Sequence, residues 1–135
     1  MSTRTTSAVI AALSLSIGAV AAQEAKSGLE LGKQEYQAKC AVCHGMSGRG
    51  EGPRAESLAR MPPDLTTYAR RAGGGFPVQH AAAVIDGRSY YDTPRLMPVW
   101  GQYYTIEAPD AARSAQYADL RIMALADYVA TLQAQ

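Results

Sequence analysis

The chain has 135 residues, and what it lacks narrows what it can be. It has two cysteines and two histidines, so a tetrahedral zinc site closed by such ligands would need all four, an odd set given their positions. It has no surplus of either charge, with 13 Lys+Arg against 12 Asp+Glu, which leaves no basic footprint for nucleic acid. It has no internal repeat or low-complexity tract, and no convincing run of the kind that forms a parallel sheet. After the first 22 residues no second apolar stretch of comparable length follows, so no stable membrane insertion is expected of the remainder.

Those first residues read as an export signal. Arg4 supplies a sparse positive start, residues 8–20 are apolar or small, and Ala19-Val20-Ala21-Ala22 offers small residues for cleavage. Ser14, Ser16 and Gly18 dilute the stretch below what a spanning helix needs. The expected division is therefore a cleaved segment over 1–22 and one domain over 23–135, exported to the periplasm. Loss of Arg4 leaves twelve basic residues against twelve acidic ones. Seven arginines nonetheless fall between positions 49 and 95, among five acids. They form either a mixed solvated surface or a patch that pairs with an anionic group or steers a partner.

The most informative stretch is Cys40-Ala41-Val42-Cys43-His44. A C-x-x-C-H run is the form in which haem is attached covalently. Two thiols at this spacing can add to the vinyl groups on one porphyrin edge, and the adjacent imidazole is carried under the iron. A redox dithiol expects the pair to open a helix within a βαβ unit, and a disulfide here would close a loop too small to gain much entropy.

Around the motif the chain divides into short elements. Ser27 is placed to cap a helix whose Leu29, Gly32, Tyr36 and Cys40 share one face. Gly32 costs such a helix about 1 kcal/mol relative to Ala, which points to close approach by another backbone. The expected partner is the last helix, beginning near Asp110, with a stripe of Tyr117, Leu120, Ala124, Tyr128 and Leu132 widened by Ile122, Leu125 and Val129. Gly45, Gly48, Gly50, Gly52 and Pro53 form a loop suited to backbone packing against a flat ring. It lacks the Lys-Ser/Thr ending of a phosphate loop. Residues 64–72 predict a short helix stopped by Gly73, and residues 77–86 another, ended by Gly87. Residues 88–109 show no period and read as a long loop.

A haem iron held by His44 on one side needs a sixth ligand to act as an electron carrier, and a thioether raises its potential. Met46 is too close to His44 to reach the opposite face, and Met123 lies inside the last helix, where filling a gap is ordinary work. Met61 and Met97, each followed by proline, can both reach; Met97 is favoured by its place in the long loop. His80 falls inside a helix beside three alanines and reads as a surface histidine.

Cys40 to Gly45, the glycine loop ending in Gly52-Pro53, Pro62-Pro63-Asp64-Leu65-Thr66, Ile85-Asp86-Gly87 and Met97-Pro98-Val99-Trp100-Gly101, in that order, resemble a small bacterial class I cytochrome c over nearly all of residues 23–135. The resemblance implies an all-α, single-domain fold with crossing N- and C-terminal helices and short helices and loops wrapped round one covalent haem c. It implies thioether bonds at Cys40 and Cys43, axial ligands His44 and Met97, and a Pro53 carbonyl accepting the other ring hydrogen of His44. Gly32 with Tyr36, and Leu125 with Tyr128, resemble the two sides of the family's helix crossing. Trp100 would pack against haem or fill the core, and Tyr90, Tyr91, Tyr103 and Tyr104 are available to propionates. The implied function is periplasmic electron transfer between a redox donor and an acceptor protein, with no bond chemistry and so no enzyme activity. The alternatives are the haem subunit of a periplasmic dehydrogenase and a haem-based ligand sensor.

Overall fold

The computed structural model describes residues 23, 26–90 and 96–134, and among them the secondary structure is helical with no strand. The expected signal segment over 1–22, together with Tyr91, Arg95 and the side chain of Tyr90, lies outside the described residues. Helix α1 is α-helical over residues 26–35, passes through a π turn at Tyr36–Cys40, and ends in the α-helical turn Ala41–His44. Helix α2 (Tyr68–Arg71) follows a 3-10 turn at Leu65–Thr67, with the Asp64 carboxylate accepting from the Thr66 amide at 2.8 Å. Helix α3 (Val78–Asp86) ends on Gly87, whose φ of 73° supplies the left-handed cap expected of that glycine. Helix α4 (Trp100–Glu107) precedes a 3-10 turn at Ala111–Arg113, which leads into the long helix α5 (Ser114–Thr131). As expected, Asp110 opens this last segment, accepting from the Ala112 amide at 2.9 Å.

Three expectations need correction. Ser27 does not cap α1, because residue 26 is already helical and Ser27 lies inside the helix. The long loop over 88–109 contains α4: the run Trp-Gly-Gln-Tyr-Tyr-Thr-Ile-Glu is rich in aromatic residues with weak helix preference, and it is helical because Trp100, Gly101 and Tyr104 are buried against its neighbours. The expected face of α5 fails at one position: Ile122, Ala124, Leu125 and Val129 are buried, joined by Ala118, and Tyr117, Tyr128 and Leu132 pack on the core, but Leu120 is 61% exposed.

Helices α4 and α5 pack together, and α3 packs on both. The first helix crosses the last where Gly32 meets it. A Cβ at Gly32 would lie 1.9 Å from the Ala124 carbonyl oxygen, so only glycine permits the approach. One turn on, the Tyr36 and Tyr128 rings stand 5.2 Å apart. The core beneath is lean: Tyr36, Tyr104 and Leu125 are its largest fully buried side chains, and alanines fill much of the rest.

Candidate haem site

Cys40 closes the π turn and Cys43 and His44 fall in the final turn of α1, so the whole motif sits at one helix end. The last carbonyls of a helix have no partner within it. Here the glycine loop turns back and supplies them: the Gly50 amide donates to His44 O at 2.8 Å, Gly52 to Cys43 O at 3.1 Å and Arg54 to Val42 O at 2.9 Å. A Cβ at Gly52 would stand 2.6 Å from the Ala41 and Val42 carbonyl oxygens, and one at Gly50 would stand 2.4 Å from that of Pro62. These two glycines thus allow protein backbone, not only a ring, to come close. Gly45, at φ 77°, turns the chain out of the helix, and the Tyr36 hydroxyl donates to its carbonyl at 2.8 Å. The attachment turn is therefore held from both sides by hydrogen bonds that do not involve the cysteine or histidine side chains.

Both cysteines are free and half-buried. Burial, with the Glu35 charge as the next contribution, pushes the Cys40 thiol up to about 12. A reactive dithiol needs a depressed thiol pKa in an electropositive setting, so this environment argues against redox exchange. Nδ1 of His44 is buried and completes no well-aligned hydrogen bond, although the Pro63 carbonyl acts on the ring. Burial pushes the imidazole pKa down, with Pro63 opposing it, so the ring is neutral, as metal ligation requires. The backbone carbonyl that acts on the ring is thus that of Pro63, where Pro53 was expected, without completing a hydrogen bond; Pro53 lines a depression with Glu51, Gly52, Ala55, Glu56 and Met61.

Met97 is half-buried just ahead of α4 and packs, like Cys40, on the core cluster that contains Tyr36, Ala41, Trp100 and Tyr104. Met46 and Met61 are 61% and 58% exposed, and Met123 packs on the core from within α5. His80 is exposed on α3, 6.2 Å by ring centroid from Tyr68. Trp100 is buried between Tyr103 and Tyr104, at centroid distances of 5.3 and 6.1 Å. The donor set fits a covalent haem: two unpaired thiols, an imidazole beside them, and one loop methionine packed on the core that Cys40 also touches.

Sequence reasoning missed a cluster next to this site, made of Glu35 and Lys39 on α1, Tyr104 and Glu107 on α4, and Arg121 on α5. The only advance signal was the Glu35–Lys39 spacing of four, which reads equally well as an exposed pair.

A small helical domain whose first helix ends in C-x-x-C-H and is crossed by the last belongs with covalent haem proteins. The family model for cytochrome c matches residues 29–133, and the chain belongs to that family. No curated protein and no solved structure matches it. Membership carries haem-based electron transfer with it, and the family implies covalent haem c.

Proposed function

We propose that this chain is a periplasmic electron carrier, holding one haem c through Cys40 and Cys43 with His44 and Met97 as axial ligands. The observation that carries this is the placing of Cys40 and Met97 on one core cluster, with the neutral His44 ring at the end of the same helix. When bound, haem supplies the one-electron couple; the chain's own residues do the rest. Cys40 and Cys43 fix its edge, and the hydrogen-bonded end of α1 keeps His44 from shifting between oxidation states, which keeps rearrangement small. No described helix is long and apolar enough to cross a membrane. On this proposal the chain carries electrons and is not an enzyme.

Its partners would be a redox donor and an acceptor protein. Arg49, Arg54, Arg60 and Arg70 are exposed and make no ion pair among the described residues. The first two flank the attachment turn in the loop that seals it. Arg88, by contrast, is engaged with Asp86 and Asp119. The four free guanidinium groups give an acidic partner a place to dock.

The test is intact mass and the optical spectrum of the exported protein. One haem that survives acid–acetone extraction and a far-red Fe(III)–sulfur band that Met97→Ala abolishes are expected, with Met61→Ala and His80→Ala leaving the band in place. Extractable haem, or a band lost in Met61→Ala, overturns the assignment.

A further inference from the structure

Helix α4 has little reason to be helical or fixed on its own. Its sequence contains Gly101 and a run of aromatic and β-branched residues, and no side chain caps its start. Its position comes instead from three attachments at three-residue intervals. At Gly101 a Cβ would lie 2.0 Å from Asp86 Oδ1 and 2.5 Å from Arg88 Nε, which seats the start of α4 on the end of α3. At Tyr104 the hydroxyl donates to Glu35 Oε2 at 2.8 Å. At Glu107 the carboxylate meets Lys39 Nζ at 3.0 Å.

Glu35 is the centre of these contacts. Its side chain is only 11% exposed, and groups from three helices converge on it. Lys39 Nζ stands 3.0 Å from Oε2, and Arg121 Nε is 3.1 Å from Oε1, an ion-pair distance without hydrogen-bond alignment. Lys39 also lies over the Tyr104 ring, 4.6 Å from its centroid. A buried ion cluster contributes little net stability compared with apolar packing, so what it offers is defined position. The position it defines matters here: Glu35 and Lys39 adjoin Cys40 on the helix that bears His44, and Tyr104 lies one turn into the helix that Met97 leads into.

We propose that Glu35 is a positioning residue for the axial methionine, fixing α4 and the Met97 segment ahead of it against the helix that carries Cys40 and His44. This rests on the ligand assignment above and concerns what holds Met97 in place. The Tyr104–Glu35 hydrogen bond is the direct tie, while Lys39 and Arg121 hold the carboxylate where the hydroxyl can reach it. Without the tie, α4 moves more freely and the thioether leaves the iron more often.

The experiment uses the haem-loaded protein and free imidazole as the probe. Imidazole replaces the thioether only when the sulfur has moved away, so the rate of loss of the Fe(III)–sulfur band reports that opening. Tyr104→Phe removes one hydroxyl and keeps the packing; Glu35→Gln keeps the shape and removes the charge. Each should speed displacement about tenfold, the loss expected for a hydrogen bond to a charged group. The double variant should be little faster than Tyr104→Phe alone, because Glu35→Gln weakens, by removing its charge, the same tie that Tyr104→Phe breaks. Ile122→Val, which thins the core without removing any group of the cluster, should lower stability to urea and leave displacement at the wild-type rate. Wild-type displacement in Tyr104→Phe, whether or not Glu35→Gln folds, overturns the proposal. So does an Ile122→Val rate as fast as that of Tyr104→Phe, since the effect would then follow global stability. A wild-type protein without the sulfur band overturns the ligand assignment itself, and the positioning role falls with it.

Discussion

Gly32 and Gly28 occupy the same helix and invite opposite outcomes from the same substitution. Helix propensity alone favours Ala over Gly by about 1 kcal/mol. At Gly28 nothing lies within 4 Å of an added Cβ, so Gly28→Ala should be neutral or stabilising by up to that amount. At Gly32 the added atom would sit 1.9 Å from a main-chain oxygen that cannot swing aside, and separating the helices forfeits packing worth about 1–3 kcal/mol or more. Gly32→Ala should therefore destabilise despite its better propensity, and urea midpoints of the two variants decide it; stabilisation by both would mean that the crossing is not close. Titrating groups in the same region set a second expectation. Burial raises Tyr36 and Tyr104 above the ordinary tyrosine value of 10.0, with the Glu35 hydrogen bond adding to the effect at Tyr104. Burial lowers Lys39, but its bonds to Glu107 and Glu35 outweigh that and leave it above 10.5. In each case the folded chain holds a proton that the unfolded chain releases first. Stability is then fully present below the unfolded values near 10 and is lost as pH climbs through the raised ones. Urea midpoints at pH 7, 9 and 11 should be level between the first two and fall at the third, less steeply in Tyr104→Phe.

At the level of elements, α5 separates what periodicity reveals from what it conceals. Its buried positions Ala118, Ile122, Leu125 and Val129 repeat at four, three and four residues, and the neighbouring line Tyr117, Leu120, Ala124 and Tyr128 at three, four and four. Both lines find partners, because Gly32 and Tyr36 of α1 meet Ala124 and Tyr128 while α3 presents Ala81 and Ala82, whose small size lets helices come close; Leu120 is left exposed. Ile122→Ala should cost about 2–4 kcal/mol, whereas Leu120→Ala, at 61% exposure, should stay within about 0.5 kcal/mol in the same urea measurement. Equal losses would put Leu120 back on the buried face. The features legible in sequence were those written in local chemistry: the Cys40–His44 run, the start at Asp110, the cap at Gly87, and a glycine at the crossing. Those that were not depend on partners distant in the chain. Helix α4 is helical because of what Trp100 and Tyr104 bury against, and Glu35 becomes a junction only when α4 and α5 bring Tyr104 and Arg121 to it. Pro63 rather than Pro53 serves His44 because the glycine loop folds back under α1 and brings the Pro62–Pro63 segment beside it, a path that spacing alone does not specify.

For the whole molecule, two properties follow from charge and from the size of the core. A nearly neutral chain in which Arg49, Arg54, Arg60 and Arg70 are exposed and make no ion pair among the described residues, the first two beside the attachment turn, should meet an acidic redox partner by local steering. Its electron-transfer rate should fall as salt rises and screening shortens to about 8 Å near physiological ionic strength. Arg54→Gln should flatten that dependence, and a wild-type rate indifferent to salt would leave the arginines as ordinary surface charge. The second property concerns folding. Of the buried apolar residues among those described, only Tyr36, Tyr104 and Leu125 combine large size with complete burial, and seven of thirteen are alanines. Such a core removes little apolar surface from water per residue, and small domains with thin cores usually depend on a covalent or cofactor staple. A haem attached at Cys40 and Cys43 would be the largest apolar component of the domain. The chain with Cys40→Ala and Cys43→Ala, made without haem, should therefore lose much of its helical circular dichroism and unfold in urea over a broad, weakly cooperative range. The haem-loaded protein should show a single steep transition. If the haem-free double variant retained the full helical signal and an equally steep transition, the alanine-rich core would be sufficient alone, and haem would contribute function without contributing the fold.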